Sequence, residues 1–188
     1  MGDRFIWVGQ HPGVDFCNTE PVLDGAPVDL VATGDALLAW TAAAGLPAAA
    51  VAPPGRSLTS ATVAWCHDLR DLLRAALDPT VADRAALGSL DDLLRSVPCS
   101  LSLAVGDGCR VAPRSDDWEC QLRLELATAS LPALALDPAR VRRCAGPACV
   151  LLFHDTSRSG RRRWCDMASC GNRAKVAAHQ ARARVAAG

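Results

Sequence analysis

The chain has 188 residues, half of them hydrophobic, with 20 basic and 20 acidic side chains and no tyrosine. That length holds one domain of ordinary size plus a small module. No run of eighteen apolar residues occurs, which excludes a hydrophobic membrane-spanning helix, and the mixed stretch Met1-Gly2-Asp3-Arg4-Phe5 is no secretory leader, so a cytoplasmic protein is expected.

Residues 1 to 28 read as irregular, with Pro12, Pro21 and Pro27 interrupting any long element and Phe5 to Val8 forming a short strand. A helix is predicted over Gly34 to Ala44, with Thr33 as N-cap and Gly45 and Pro47 as stops. Ser60 to Leu77 forms a second, because Val63, Cys66, Leu69, Leu73 and Leu77 recur at steps of three and four. A third starts after Thr80 with Asp83 near its cap, carries Leu87, Leu90, Leu93 and Leu94, and ends at Pro98. The period then shortens to two. Leu101, Leu103 and Val105 alternate with small residues, Gly106-Asp107-Gly108 turns, and Cys109 to Val111 returns antiparallel. A helix over Asp117 to Ser130 follows, and Asp137-Pro138 opens a short helix into the C-terminal module.

Charge divides the chain sharply. Before residue 140 there are nine basic against eighteen acidic residues, and from Arg140 onward eleven against two, so the two segments carry −9 and +9. Such asymmetry points to a nucleic-acid-binding end, or to a basic module that docks on its own acidic domain.

Nine cysteines, an odd count, fit poorly with a disulfide framework. Four of them form two matched pairs: Cys144 and Cys149, then Cys165 and Cys170, each pair enclosing four residues, with fifteen residues between the pairs. This is the layout of one structural Zn²⁺ held by four thiolates, with no open position for chemistry. His154 is a weaker ligand candidate, since four sulfurs already satisfy the metal. Cys17, Cys66, Cys99, Cys109 and Cys120 lack ligand spacing and read as small buried hydrophobes. Within the module, Val150 to His154 and Arg161 to Trp164 are expected to pair about an Arg158-Ser159-Gly160 turn. Gly171 then supplies a tight turn, and Asn172 caps a helix from Arg173 to Ala186. Arg158, Arg161, Arg162 and Arg163 at the turn, with Arg173, Lys175, Arg182 and Arg184 on the helix, form the expected DNA-contacting surface. The guanidinium fork matches phosphate oxygens and guanine edges. Trp164 is expected to pack over the metal module.

The cysteine flanks carry a family resemblance. Arg143-Cys144 to Cys149, Phe153-His154-Asp155-Thr156-Ser157, and Arg162 to Lys175 with its Cys170-Gly171-Asn172-Arg173 signature are similar to the bacterial CGNR zinc finger over about Arg140 to Arg184. Val14-Asp15-Phe16-Cys17-Asn18-Thr19 resembles the motif that opens the ABATE domain preceding that finger, with Cys17 where the pattern has an apolar residue. The resemblance implies a transcription regulator.

Together these features predict a mainly α N-terminal domain with a small β-hairpin (residues 1–137), followed by a small zinc-stabilised finger of hairpin plus C-terminal helix (residues 138–188). The N-terminal domain is expected to sense a small-molecule effector or to form a homodimer. His11, Asp15, Asn18 and Thr19 are the candidate ligand contacts, although Asx and Thr side chains equally serve as backbone caps. An enzyme or accessory protein of a biosynthetic pathway is the alternative. It would use a pocket in that domain, with His11, Asp15 and Cys17 as reactive candidates, and the finger would be purely structural. Cys66 and His67 are adjacent on a helix and so face different sides.

Overall fold

A computed structural model describes residues 5–47, 52–53, 55–81, 83, 85–104, 108–114 and 117–186. Chain order is α1 (Pro12–Cys17), β1 (Val22–Leu23), β2 (Ala26–Pro27), α2 (Gly34–Ala43), α3 (Ser60–Leu77), α4 (Ala85–Arg95), β3 (Cys99–Ala104), β4 (Gly108–Pro113) and α5 (Trp118–Ser130). A 3-10 turn (Leu131–Ala135), β5 (Val141–Arg143), β6 (Leu152–His154), a π-helical turn (Met167–Gly171) and α6 (Asn172–Ala186) follow. The architecture is mainly α with an antiparallel β3–β4 hairpin, then a module of hairpin plus terminal helix.

The long helices form where their period predicts. Thr33 Oγ1 accepts the Ala36 N–H at the start of α2, Thr59 caps α3, and Gly45 leaves α2 at φ 74°. α3 packs against α1, α2, α4 and α5, burying Leu69, Leu73, Trp65 and Cys66. Trp40 is the largest fully buried side chain among the described residues, stacked with Trp7 at 5.7 Å and tilted against Phe16 at 5.0 Å between ring centroids. Across the core, buried Glu119 of α5 accepts the Thr59 N–H at 3.0 Å and the Thr59 hydroxyl at 2.6 Å, tying α5 to the start of α3.

Four local expectations are corrected. Residues 1 to 28 are not irregular throughout: Pro12 occupies the first position of the six-residue α1, where its missing N–H is no loss, and His11 Nδ1 accepts the Gly13 N–H at 3.1 Å. Gly13 must lack a side chain, because a Cβ would collide with the Ser130 carbonyl and lie 2.9 Å from Ala133 Cβ. Phe5 to Val8 is not assigned to a strand. Asp137-Pro138 opens only a turn, with Asp137 Oδ1 accepting the Ala139 N–H, because the chain then enters β5 and buries Val141. Cys17, Cys66 and Cys120 are buried as expected, but Cys99 is exposed, at the edge of the β3–β4 hairpin. Val105 to Asp107, and the Cys109 side chain, lie outside the described residues.

Candidate metal centre and basic surface

The sequence places the finger hairpin between the cysteine pairs, but β6 pairs instead with β5, upstream of the first pair: Val141 opposes His154, Arg142 opposes Phe153, and Arg143 opposes Leu152. The first cysteine loop is therefore the turn of this hairpin. Cys144 N–H donates to the Leu151 carbonyl at 2.9 Å, and Cys149 N–H to the Gly146 carbonyl at 3.0 Å. The Ala145 N–H then reaches the Arg163 carbonyl at 2.9 Å, bringing the second loop alongside. Arg161 to Trp164 are irregular rather than strand.

The second cysteine loop runs into a helix. Asp166 accepts the Ser169 N–H at 2.8 Å, making it the cap in place of the predicted Asn172, and the π-helical turn leads directly into α6. Gly171 is not in a left-handed turn; it sits under the Met167 and Trp164 side chains, and a larger residue would displace the flexible Met167 tip. A Cβ there would meet Met167 Sδ at 2.9 Å and Trp164 Cδ1 at 3.2 Å.

These loops converge Cys144, Cys149, Cys165 and Cys170, whose sulfurs all lie within 4.8 Å of one another. Sγ of Cys165 is 3.8 Å from that of Cys149 and 3.7 Å from that of Cys170. A tetrahedron with Zn–S bonds of about 2.3 Å has edges of about 3.8 Å, so the sulfurs are spaced for one zinc ion. Without a metal the four thiols share protons unevenly. Burial pushes the Cys144 thiol up. The Cys165 S–H bonded to Cys149 holds Cys149 down at about 5, while that same bond, burial and the neighbouring thiolates push Cys165 up. A divalent ion held by these four sulfurs would displace the thiol protons and balance the charge of the clustered thiolates. Peptide N–H groups of Cys165 and Gly146 point at Cys144 Sγ at 3.4 and 3.5 Å, and an Arg173 guanidinium N–H donates to Cys170 Sγ at 3.1 Å. His154 is outside the cluster. Four protein sulfurs complete the coordination, so the centre is structural.

The basic residues separate into two groups. Arg140 donates to the carbonyls of Asp155 and Ser157, Arg142 to that of Gly160, and Arg143 forms an ion pair with Asp78 at 3.0 Å. Arg162 is inward-turned: its guanidinium donates to the Trp164 and Cys165 carbonyls and lies 4.8 Å above the Phe153 ring. Its backbone N–H meets Asp155. Asp155, fully buried and given no role by the sequence beyond its place in the Phe153 to Ser157 stretch, also accepts the Ser157 N–H and hydroxyl. Burial works to raise its proton affinity, but these hydrogen bonds and nearby Arg142 hold the carboxyl below its ordinary range. By contrast Arg158, Arg161, Lys175, Arg182 and Arg184 are exposed and enter no ion pair among the described residues. Arg163 is also exposed, 5.0 Å over the Trp164 ring.

The N-terminal motif is bonded to the finger. Asn18, 1 % exposed, donates through Nδ2 to the Leu152 carbonyl and accepts the Leu152 N–H, both at 2.8 Å across 134 residues of sequence. Leu152 itself belongs to the main core, while Phe153 joins a second cluster with the cysteines, Ile6 and Val8. Arg74 of α3 bridges the Cys17 and Val150 carbonyls. Thr19 Oγ1 donates to the Phe16 carbonyl, and Asp15 Oδ1 accepts the Gly9 N–H at 2.6 Å while Gly9 O accepts from His154 N–H. Asp15, Asn18 and Thr19 are thus buried and bonded within the fold, and His11 is a half-buried helix cap. Burial raises the Asp15 carboxyl to about 6, against the pull of the Gly9 and Val8 N–H groups. Burial, and then the charge of His154, lowers His11. Burial pushes the Cys17 and Cys66 thiols up to about 12, so neither is a ready thiolate nucleophile. No described helix is long and apolar enough to cross a membrane.

A family profile described as "CGNR zinc finger" matches residues 140–183. A second, named ABATE and described as "Putative stress-induced transcription regulator", matches residues 10–141. No curated protein matches the chain.

Proposed function

Because the chain belongs to the ABATE family and carries a CGNR zinc finger, we propose that it is a DNA-binding transcription regulator whose N-terminal domain senses a small molecule. The supporting observation is α6. From Asn172 to Arg184 every side chain is exposed except Ala174, so this helix has little of the packing that sustains helices in folded proteins. A free fifteen-residue helix is marginal in water, and a docked surface would stabilise it.

At about 100° per residue, Asn172, Lys175, Val176, His179 and Arg182 fall on one stripe of α6, facing away from Ala174 and Ala177 on the body side. Such a stripe suits a major groove: Lys175 and Arg182 meet phosphates while Asn172 and His179 reach base edges. Arg158, Arg161 and Arg163 add phosphate contacts from the loop beside the metal. Arg162 and Arg173 act from behind, one holding the loop and the other the Cys170 sulfur.

The Asn18–Leu152 bonds give a route for signalling, since a shift of α1 must move the strand that carries the finger. Regulation then needs an effector that prefers one of two arrangements. The test is retention of zinc-loaded protein on fragments of its own genomic neighbourhood against random DNA across a salt series. The reading expects selective retention whose logarithm falls by roughly 0.9 per contacted phosphate per decade of salt. A flat salt response, or no retention at low salt, contradicts it.

A further inference from the structure

A cavity of about 840 Å³ opens between the metal module and the N-terminal domain. Pro21 to Gly25 of the β1–β2 hairpin forms one wall and Arg173, Ala174 and Ala177 of α6 the other. Ile6, Val8, Val150 and Leu151 line its apolar interior, and Cys149, Cys165 and Cys170 border one side. A zinc ion fits among the sulfurs and leaves most of this volume, which lies within the range of small-molecule sites. Leu23, 41 % exposed, extends the apolar wall.

The charged groups lining the cavity select the occupant. Asp24 and Asp166 contribute carboxylates, and a zinc tetrathiolate carries two net negative charges. The guanidinium of Arg173, the basic side chain of the lining, is already bonded to Cys170 Sγ. Cys149 is the one sulfur ligand that is not fully buried, and a metal-bound thiolate accepts hydrogen bonds. An apolar interior beneath a net negative lining suits an apolar cation bearing N–H donors.

We infer that this cavity binds a small hydrophobic amine, its apolar body against Ile6, Val8, Leu23 and Leu151 and its ammonium toward Asp24, Asp166 and Cys149. The inference deepens the regulator reading by placing the effector here rather than at Asp15 to Thr19. Bound there, the amine touches both the β1–β2 hairpin and α6, and so biases how α6 stands from the body.

The test uses zinc-loaded full-length protein and titration calorimetry with tryptamine and its matched carboxylate, indole-3-acetate. Saturable tryptamine binding, tighter than that of indole-3-acetate by about tenfold or more, is expected. Asp24→Asn keeps the turn, because asparagine tolerates the positive φ of 49°, and should weaken tryptamine several-fold. Ala177→Trp, at a solvent-accessible position on the body side of α6, should fill the cavity and abolish binding with zinc content unchanged. Absence of saturable tryptamine binding, equal affinity for the carboxylate, or undiminished binding in Ala177→Trp overturns the inference. DNA retention without amine binding removes the cavity assignment alone, and amine binding without DNA retention removes the regulator reading alone.

Discussion

Residues 140–155 and residues 158–186 are both parts of the finger and both rich in arginine, yet they meet their surroundings in opposite ways. The first buries Val141, Leu152 and Phe153, places Leu152 in the main core, and uses Arg140, Arg142 and Arg143 in internal bonds. The second leaves Arg158, Arg161, Arg163 and most of α6 in solvent, with Arg162 and Arg173 turned back toward the metal module. Net charge therefore overstates the usable surface. The finger is half foundation and half instrument, and the metal joins them: Cys144 and Cys149 border the buried hairpin, while Cys165 and Cys170 border the exposed helix.

The strongest way to break the division is to remove the metal. Cys170→Ser should abolish stoichiometric zinc and unfold the finger, since structural zinc binding is worth on the order of 10 kcal/mol. Because Leu152 is shared with the main core, the loss should also lower Tm of the whole chain. Retained zinc by metal analysis, with an unchanged Tm, contradicts the four-sulfur centre.

Next in size is the clamp. Asn18→Ala leaves the buried Leu152 N–H and carbonyl without partners and should cost about 3 kcal/mol, read as a lower urea midpoint. A change under about 0.5 kcal/mol would detach the foundation from the body. Arg143→Ala should cost less, about 1–2 kcal/mol, because Asp78 is 2 % exposed but Arg143 is exposed, so solvent screens the pair. Equilibrium denaturation in the same buffer checks that order.

The smallest expected effect depends on pH. The folded state holds the Asp15 proton more tightly than the unfolded chain does, so Asp15 loses stability as pH rises from its ordinary range to about 6, and the loss is constant above that. Asp15→Asn removes the charge and keeps an acceptor for the Gly9 N–H. Its stability relative to the parent chain should therefore improve by about 1 kcal/mol between pH 5 and pH 7.5. Comparing the two proteins at each pH cancels the shared effect of acid on zinc binding and on His11. An advantage that shrinks as pH rises contradicts the assignment.

Much of the body was legible because its signals are local. α2, α3 and α4 announce themselves by apolar spacing, and Thr33 and Asp83 mark the starts of α2 and α4, while the Thr59 and Asp117 caps of α3 and α5 emerge only in the structure. The metal centre was legible because ligand spacing is itself a local constraint. The pairing of β5 with β6 was not, since Asp137-Pro138 resembles a helix start and nothing adjacent says that Val141 will be buried. The role of Asn18 was out of reach, as its partner is 134 residues away. Arg162 looks like its neighbours in sequence, and only the carbonyls of Trp164 and Cys165 set it apart.

The most direct measurement is DNA binding across a salt series by the zinc-loaded parent chain and by an Arg158→Ala/Arg161→Ala variant. The account predicts that the variant keeps its zinc and its stability to within about 0.5 kcal/mol, while its salt slope falls by roughly 0.9 for each phosphate contact removed. An unchanged slope and affinity in a folded, zinc-loaded variant would contradict the exposed arginines as the DNA-contacting surface.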